Sequence, residues 1–368
     1  MNCKSFFSYL FLLIVLFVTA CSEPERPVTK EEAAKIAAAL EDAIANRNSG
    51  FLNSLLSTEL LEKRIMEQSD NKLSRSLVAN TLTSIKSGDF GRQVIKSLGK
   101  TGTYELVKQY EKNNHQHLIF RLYDQEINYH DFELVKVNDQ VKIADVFVYV
   151  TGENLSTSYA EMLLSMKEEA SKPVDTKDAR QMDLMKKYIN EKEYEKANKI
   201  YHSLPEVLKK QKIYKIIYTR IASGLGTDEY LASLINFQKE YPQATNMYLL
   251  MMDAYYLKKD YPGTLRCING LDSLINKDPF LDYYRALIYR ESHDAANQLL
   301  CLERLHQNLP DYSPGTLELI YRYVEDNRWD KAIPLTKAYT ATKNADQATI
   351  DNLYEMYPAF KDAMDKGQ

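Results

Sequence analysis

One frame recurs through the second half of this chain and dictates what that half can fold into. Tyr188, Ile221, Tyr255, Tyr289 and Tyr323 fall 33 or 34 residues apart. Tyr201, Leu234, Ile268, Leu302 and Thr336 repeat at the same spacing, as do Leu204, Phe237, Leu271, Leu305 and Tyr339. Similar turn strings lie between them, from Lys192 to Ala197, Lys259 to Thr264 and Asn327 to Ala332, and Pro242 and Pro310 close two of the units. Such a period marks a small unit that cannot bury its apolar face alone and must stack on its neighbours.

A period of about 34 residues with these strings resembles the tetratricopeptide repeat, a helix-turn-helix unit. The resemblance covers five units over residues 178–345, and a last helix near Gln347 to Met364 reads as a cap. Where that family has glycine in the first helix, this chain has Met185, Tyr218, Met252, Ala286 and Ile320. The small residue at the helix crossing is kept as Ala197 and Ala332 but replaced by Tyr230 and Gln298. The resemblance implies an all-α, TPR-like solenoid over residues 177–368. It also implies a concave groove for extended peptides, whose positions hold Asn246, Asp253, Tyr256, Tyr283, Arg290 and Tyr321. Tyrosine and arginine are favoured anchors at interfaces.

The first half changes period midway. Thr29, followed by Glu31 and Glu32, is a helix start, and Ala33, Ala37, Leu40 and Ile44 recur at helical spacing. Helical segments continue to about Leu98. From Thr103 to Val150 the chain alternates with period two, with turn signals at Asn113-Asn114, Asp124-Gln125 and Asn138-Asp139. Residues 29–152 therefore read as an α+β domain, helices packed on a four-stranded antiparallel sheet. This order resembles the cystatin-like cone of the nuclear-transport-factor-type superfamily. Residues 153–176 read as a connecting helix and a hinge at Ser171-Lys172-Pro173.

The beginning of the chain speaks to location. A single cation, Lys4, precedes an apolar run from Phe6 to Val18, too short to span a bilayer comfortably. Val18-Thr19-Ala20-Cys21 resembles the lipobox of bacterial lipoproteins. That implies a signal peptide over residues 1–20, lipid on Cys21 and a short tether over residues 21–28. Ser22 resembles the outer-membrane sorting signal of that class, so the expected location is the cell envelope, at the outer membrane. The membrane is then one partner, held through lipid.

Lys and Arg number 47 against 51 Asp and Glu, interspersed, so there is no basic footprint for nucleic acid. Of four cysteines, Cys3 leaves with the signal and Cys21 carries lipid. Cys267 and Cys301 lie one repeat apart on equivalent helices, too far for a disulfide, and read as buried free thiols. Gly99-Lys100-Thr101 lacks the upstream glycine of a phosphate loop, and Ser69 with Lys72 makes an isolated Ser-x-x-Lys. His115 and His117 share a strand face, with His130 and Asp131 on the next strand, yet a metal site needs further ligands. No metal or cofactor is expected.

Asp145 is the single residue that most invites chemistry. Alternation places it with Val141, Ile143, Phe147 and Tyr149 on one strand face, where a carboxylate is costly unless paired. A pocket inside the cone would hold Asp145, Tyr104 and Tyr129, with Tyr110 near. The first expectation is a non-catalytic adaptor that binds protein partners through the TPR-like groove. The alternatives are a lipoprotein binding small molecules or glycans in the cone pocket, and an enzyme centred on Asp145.

Overall fold

The computed structural model describes residues 27–124, 126–169, 176–242, 244–343 and 345–366. The signal, Cys21 and the hinge at residues 171–173 lie outside them. Six helices come first: α1 (Lys30–Ala45), α2 (Ser49–Leu55), α3 (Thr58–Gln68), α4 (Arg75–Thr81), α5 (Thr83–Lys86) and α6 (Asp89–Ser97). Then come β1 (Thr103–Lys112), β2 (His115–Tyr123), β3 (Ile127–Val137), β4 (Gln140–Val148), β5 (Glu153–Asn154) and α7 (Leu155–Glu169). The rest is helical: α8 (Thr176–Asn190), α9 (Tyr194–Ser203), α10 (Glu206–Lys209), α11 (Lys212–Ser223) and α12 (Thr227–Glu240). It continues with α13 (Met247–Leu257), α14 (Tyr261–Leu274), α15 (Leu281–Glu291), α16 (Ala295–Asn308), α17 (Ser313–Glu325), α18 (Trp329–Thr340), α19 (Gln347–Met356) and α20 (Pro358–Lys366). None of the helices among the described residues is long and apolar enough to cross a membrane.

The N-terminal half follows its local signals. Thr29 caps α1 through a reciprocal pair, its hydroxyl accepting from the Glu32 N–H while the Glu32 carboxylate accepts from the Thr29 N–H. The five strands form one antiparallel meander in chain order. Asn113-Asn114 and Asn138-Asp139 turn its hairpins with left-handed backbone, φ 52° and 62°, then 48° and 59°. The fifth strand was not anticipated, being only two residues long.

Leu118 and Phe120 of β2 and Phe132 and Leu134 of β3 face the helices and build one core with Leu40, Leu61 and Ile65. Leu163 of α7 joins that core, and α7 packs on α3 and β4. The other sheet face is covered as well: Ile119, Tyr129 and Tyr149 pack with Leu249, Leu271 and Phe280 of the helical half. One amphipathic sheet face was expected; the second face is also covered over part of its area, as the apolar run Leu118-Ile119-Phe120 in β2 requires.

A bulge corrects the reading of β4. Glu133 pairs with Asp145 but Leu134 pairs with Ile143, so Ala144 is the extra residue. One inserted residue reverses the alternation. Val141, Ile143, Val146 and Val148 therefore all serve the helix-facing core. Asp145 does not share a face with Val141 and Ile143, as alternation suggested; it lies with Phe147 and Tyr149 on the opposite face.

In the helical half, α8/α9, α11/α12, α13/α14, α15/α16 and α17/α18 pack as successive hairpins. Four of the five hairpins turn identically. Lys192, Lys259, His293 and Asn327 adopt φ of 59°, 58°, 58° and 55°. The next N–H, from Glu193, Asp260, Asp294 or Arg328, donates at 2.8–2.9 Å to the carbonyl of Tyr188, Tyr255, Tyr289 or Tyr323. This is the left-handed helix stop of the Schellman type, in register with the repeat. Both repeated sets of the second helix, from Tyr201 to Thr336 and from Leu204 to Tyr339, are buried throughout. Tyr289, in the last turn of α15, is only half-buried. Cys267 and Cys301 are buried free thiols on α14 and α16.

Candidate functional site: a cleft between the sheet and the helical half

The two halves are fastened by a buried charge ladder. The Arg121 guanidinium, on β2, donates to both carboxylate oxygens of Asp278 at 2.7 and 2.8 Å and pairs with Glu105 on β1. It stacks over the Phe280 ring at 4.2 Å. The Tyr129 hydroxyl donates to Asp278 at 3.0 Å, and the Asp278 N–H donates to Asp272. Arg285 then bridges Asp272 and Asp282, and Arg304 also donates to Asp282. Nearby, the Asn246 amide donates to the Val150 carbonyl at 2.8 Å. Gly152, at φ 70°, lies so close that a Cβ would come within 2.7 Å of the Asn246 nitrogen.

Beside this fastening the sheet face is open and polar. A cleft of about 690 Å³ lies there, within the range of small-molecule sites. Its floor is Asp131 and Glu133 of β3 with Asp145 and Phe147 of β4, followed by Tyr149. Tyr110, Lys112 and His117 line the hairpin side, and Arg64 of α3 with Asn154 of β5 line the opposite wall. Thr245, Leu274 and Asn276 of the helical half complete it. Asn113 and Asn276 hold left-handed backbone, φ 52° and 58°, which itself accounts for asparagine there.

Each carboxylate of the floor has internal partners. Arg64 forks onto Glu133 at 2.5 and 2.8 Å, and the His115 Nδ1 lies 2.5 Å from the same group. Burial alone would raise the Glu133 carboxyl, but Arg64 and His115 outweigh it and hold it below its ordinary value. Asp131 accepts from the Tyr110 hydroxyl and lies 3.0 Å from the His117 Nδ1. The Tyr110 and His117 rings stack at 4.9 Å. Burial first, and then the Asp131 charge, push the Tyr110 hydroxyl upward, so it stays protonated as donor.

Asp145 has a structural assignment. Its Oδ1 accepts from the N–H groups of Val146 and Ser156, and its Oδ2 accepts from the Ser156 hydroxyl at 2.5 Å. It therefore satisfies one orphan N–H at the start of α7, that of Ser156, and ties that helix to β4. Burial raises its carboxyl against the opposing pull of those bonds.

The other expected site residues scatter. Tyr104 lies on the opposite face of the sheet, against Phe120 and bonded to His130, because its strand position points into the helix-facing core. Tyr129 is consumed by the Asp278 contact and does not line the cleft. Of the groove positions, Asn246 is buried against the sheet, Arg290 forks onto Glu318, and the Tyr321 hydroxyl donates to the Thr349 carbonyl. Asp253 accepts from Tyr230, and Tyr283 packs edge-on to Tyr312. Tyr256 is 44% exposed. Ser69 is buried, donating to the Met66 carbonyl. Among the described residues no group of three or more His, Cys, Asp or Glu is arranged to hold a metal ion.

Arg64 and Glu133 were missed by sequence reasoning. Asp131 and Glu133 at i, i+2, diagonal to His117 and His115 on the neighbouring strand, carried a signal, being four polar groups on one face of adjacent strands. Arg64 carried none, since it arrives from a helix 69 residues away. Comparison with protein-family models, with curated proteins and with solved structures gives no match.

Proposed function

We propose that this chain is a lipid-anchored binding protein of the cell envelope, with its ligand site in the cleft between the sheet and the helical half. The observation that carries this reading is the convergence of Asp131, Glu133 and Arg64 with Phe147 and Tyr149 in one concave site, completed by Thr245 and Leu274 from the other half. A few placed polar groups among aromatic walls are what a small-molecule site requires.

In this reading the helical half is a divergent TPR-like solenoid. The recurring left-handed caps and the buried second-helix sets support it. The first half is a cystatin-like cone whose interior is filled by its own core, so the binding site moves to the outer sheet face. Peptide capture in the groove would rest on Tyr256 and Arg290, both exposed, the latter in a surface pair with Glu318, while Asn246 is buried against the sheet and the Tyr321 hydroxyl bonds the Thr349 carbonyl. Catalysis at Asp145 is disfavoured by its role at the start of α7.

Two experiments test this. Native mass spectrometry of the full-length protein extracted from envelopes in mild detergent should detect a bound small molecule. Thr245→Trp, at the exposed rim of the cleft, should abolish that adduct; an adduct that survives, or none in the wild type, removes the cleft reading. For the anchor, metabolic labelling with a fatty acid should mark the wild type and not Cys21→Ala. An unlabelled wild type would end the envelope assignment.

A further inference from the structure

The charges of the cleft are already balanced, and that constrains what can enter it. Glu133 is neutralised by the Arg64 fork. Asp145 is met by the N–H of its neighbour Val146 on β4 and by the N–H and hydroxyl of Ser156 at the start of α7. Asp131 remains, shared between Tyr110 and His117, and Lys112 stands at the rim on the same side. A cationic ligand would find one acidic group without an ion-pair fork in a cleft that Lys112 also lines, and an anionic ligand would meet three carboxylates. Desolvating an ion without a counter-charge costs far more than desolvating a hydroxyl that finds a partner.

A neutral ligand with many hydroxyls fits what is left. A carboxylate has about four lone-pair sites, and Asp131 has two in use. Asn154 and Thr245, which also line the cleft, add an amide and a hydroxyl. Phe147 stands directly across from Asp131 in the strand register, with the Tyr149 ring edge-on to it at 5.1 Å. An aromatic face beside a hydroxyl-accepting carboxylate matches a sugar ring, which is apolar on one face and polar around its edge.

Building on the cleft reading above, we propose that the ligand is a neutral saccharide, with the C–H face of a ring on Phe147 and its hydroxyl edge on Asp131, Asn154 and Thr245. The test is a broad glycan array, followed by calorimetric titration of the full-length protein in detergent with the retained glycans. Spermidine and glucose 6-phosphate serve as the cationic and anionic probes. Wild type should bind a neutral glycan, and Asp131→Asn, Phe147→Ala and Asn154→Ala should each weaken it by about tenfold or more. Circular dichroism and thermal melts check that all three variants fold. Glycan binding that none of the variants changes overturns the proposal. So does failure of every glycan on the array. Binding of spermidine or glucose 6-phosphate alone, blocked by Thr245→Trp, overturns the saccharide assignment while leaving the cleft as a ligand site.

Discussion

Asp278→Ala is expected to destabilise the protein by about 3–5 kcal/mol, because it leaves the Arg121 guanidinium buried without its main counter-charge. The side chains of Arg121 and Asp278 are 5% and 2% exposed, so water cannot replace the lost partner. Glu105 stays, but it is 46% exposed and only partly compensates. The deletion also orphans the Tyr129 hydroxyl and the Phe280 N–H, both of which bond Asp278. Each lost acceptor for a buried donor adds to the cost. The double change Arg121→Met with Asp278→Leu removes both charges and should recover the part of the loss that comes from the stranded guanidinium, leaving the cost of the unpaired Tyr129 hydroxyl and Phe280 N–H. Urea unfolding followed by circular dichroism measures all three proteins. A loss below about 1 kcal/mol in the single variant would mean that the halves are held by their apolar contacts alone. Trp329 lies in the helical half, so its fluorescence reports whether that half unfolds together with the sheet.

This contact marks the boundary of what the sequence could reveal. Repetition was legible because equivalent positions solve the same packing problem. Leu234, Ile268 and Leu302 are each buried in the place their spacing assigns. The meander was legible because Asn113-Asn114 and Asn138-Asp139 are residues that tolerate left-handed turns. The hairpin stops of the helical half were harder to read, since Lys192, Lys259 and His293 hold a conformation usually given to glycine. The bulge at Ala144 had no signal at all, yet it decided which face Asp145 occupies. Docking of the sheet on the helical half was half-visible. The run from Leu118 to Leu122 is too apolar for a strand with a wet face, apart from Arg121, which finds its partner 157 residues away. The placement of one groove position was hidden for a related reason: Asn246 is covered by the chain's own turn between β4 and β5, at Val150 and Gly152. A pairing that depends on tertiary docking leaves no periodic trace.

Acid should weaken this fold through His130. The imidazole is buried on the helix-facing side of β3, 3.0 Å from the Tyr104 hydroxyl and ringed by Phe90, Tyr104 and Phe132. Burial drives it down to about 4 from its ordinary 6.5, because the charged imidazolium is disfavoured away from water. The depressed value fixes the sign. Below pH 6.5 the unfolded chain takes up a proton that the folded chain refuses, so stability is complete above 6.5 and falls as pH drops toward 4. Below about pH 4 both states are protonated and the contribution levels off. The window spans about 2.5 pH units, which corresponds to about 3 kcal/mol from this one group. His130→Phe alone would strand the Tyr104 hydroxyl, so the informative protein is His130→Phe with Tyr104→Phe, in which both polar partners leave together. Urea unfolding at intervals from pH 7.5 to 4 should give a wild-type curve that declines more steeply than that of the double variant between 6.5 and 4. Carboxylates and the other histidines tilt both curves alike, so the difference isolates His130. Parallel curves across that window would show that the buried imidazole takes its proton as readily as a solvated one.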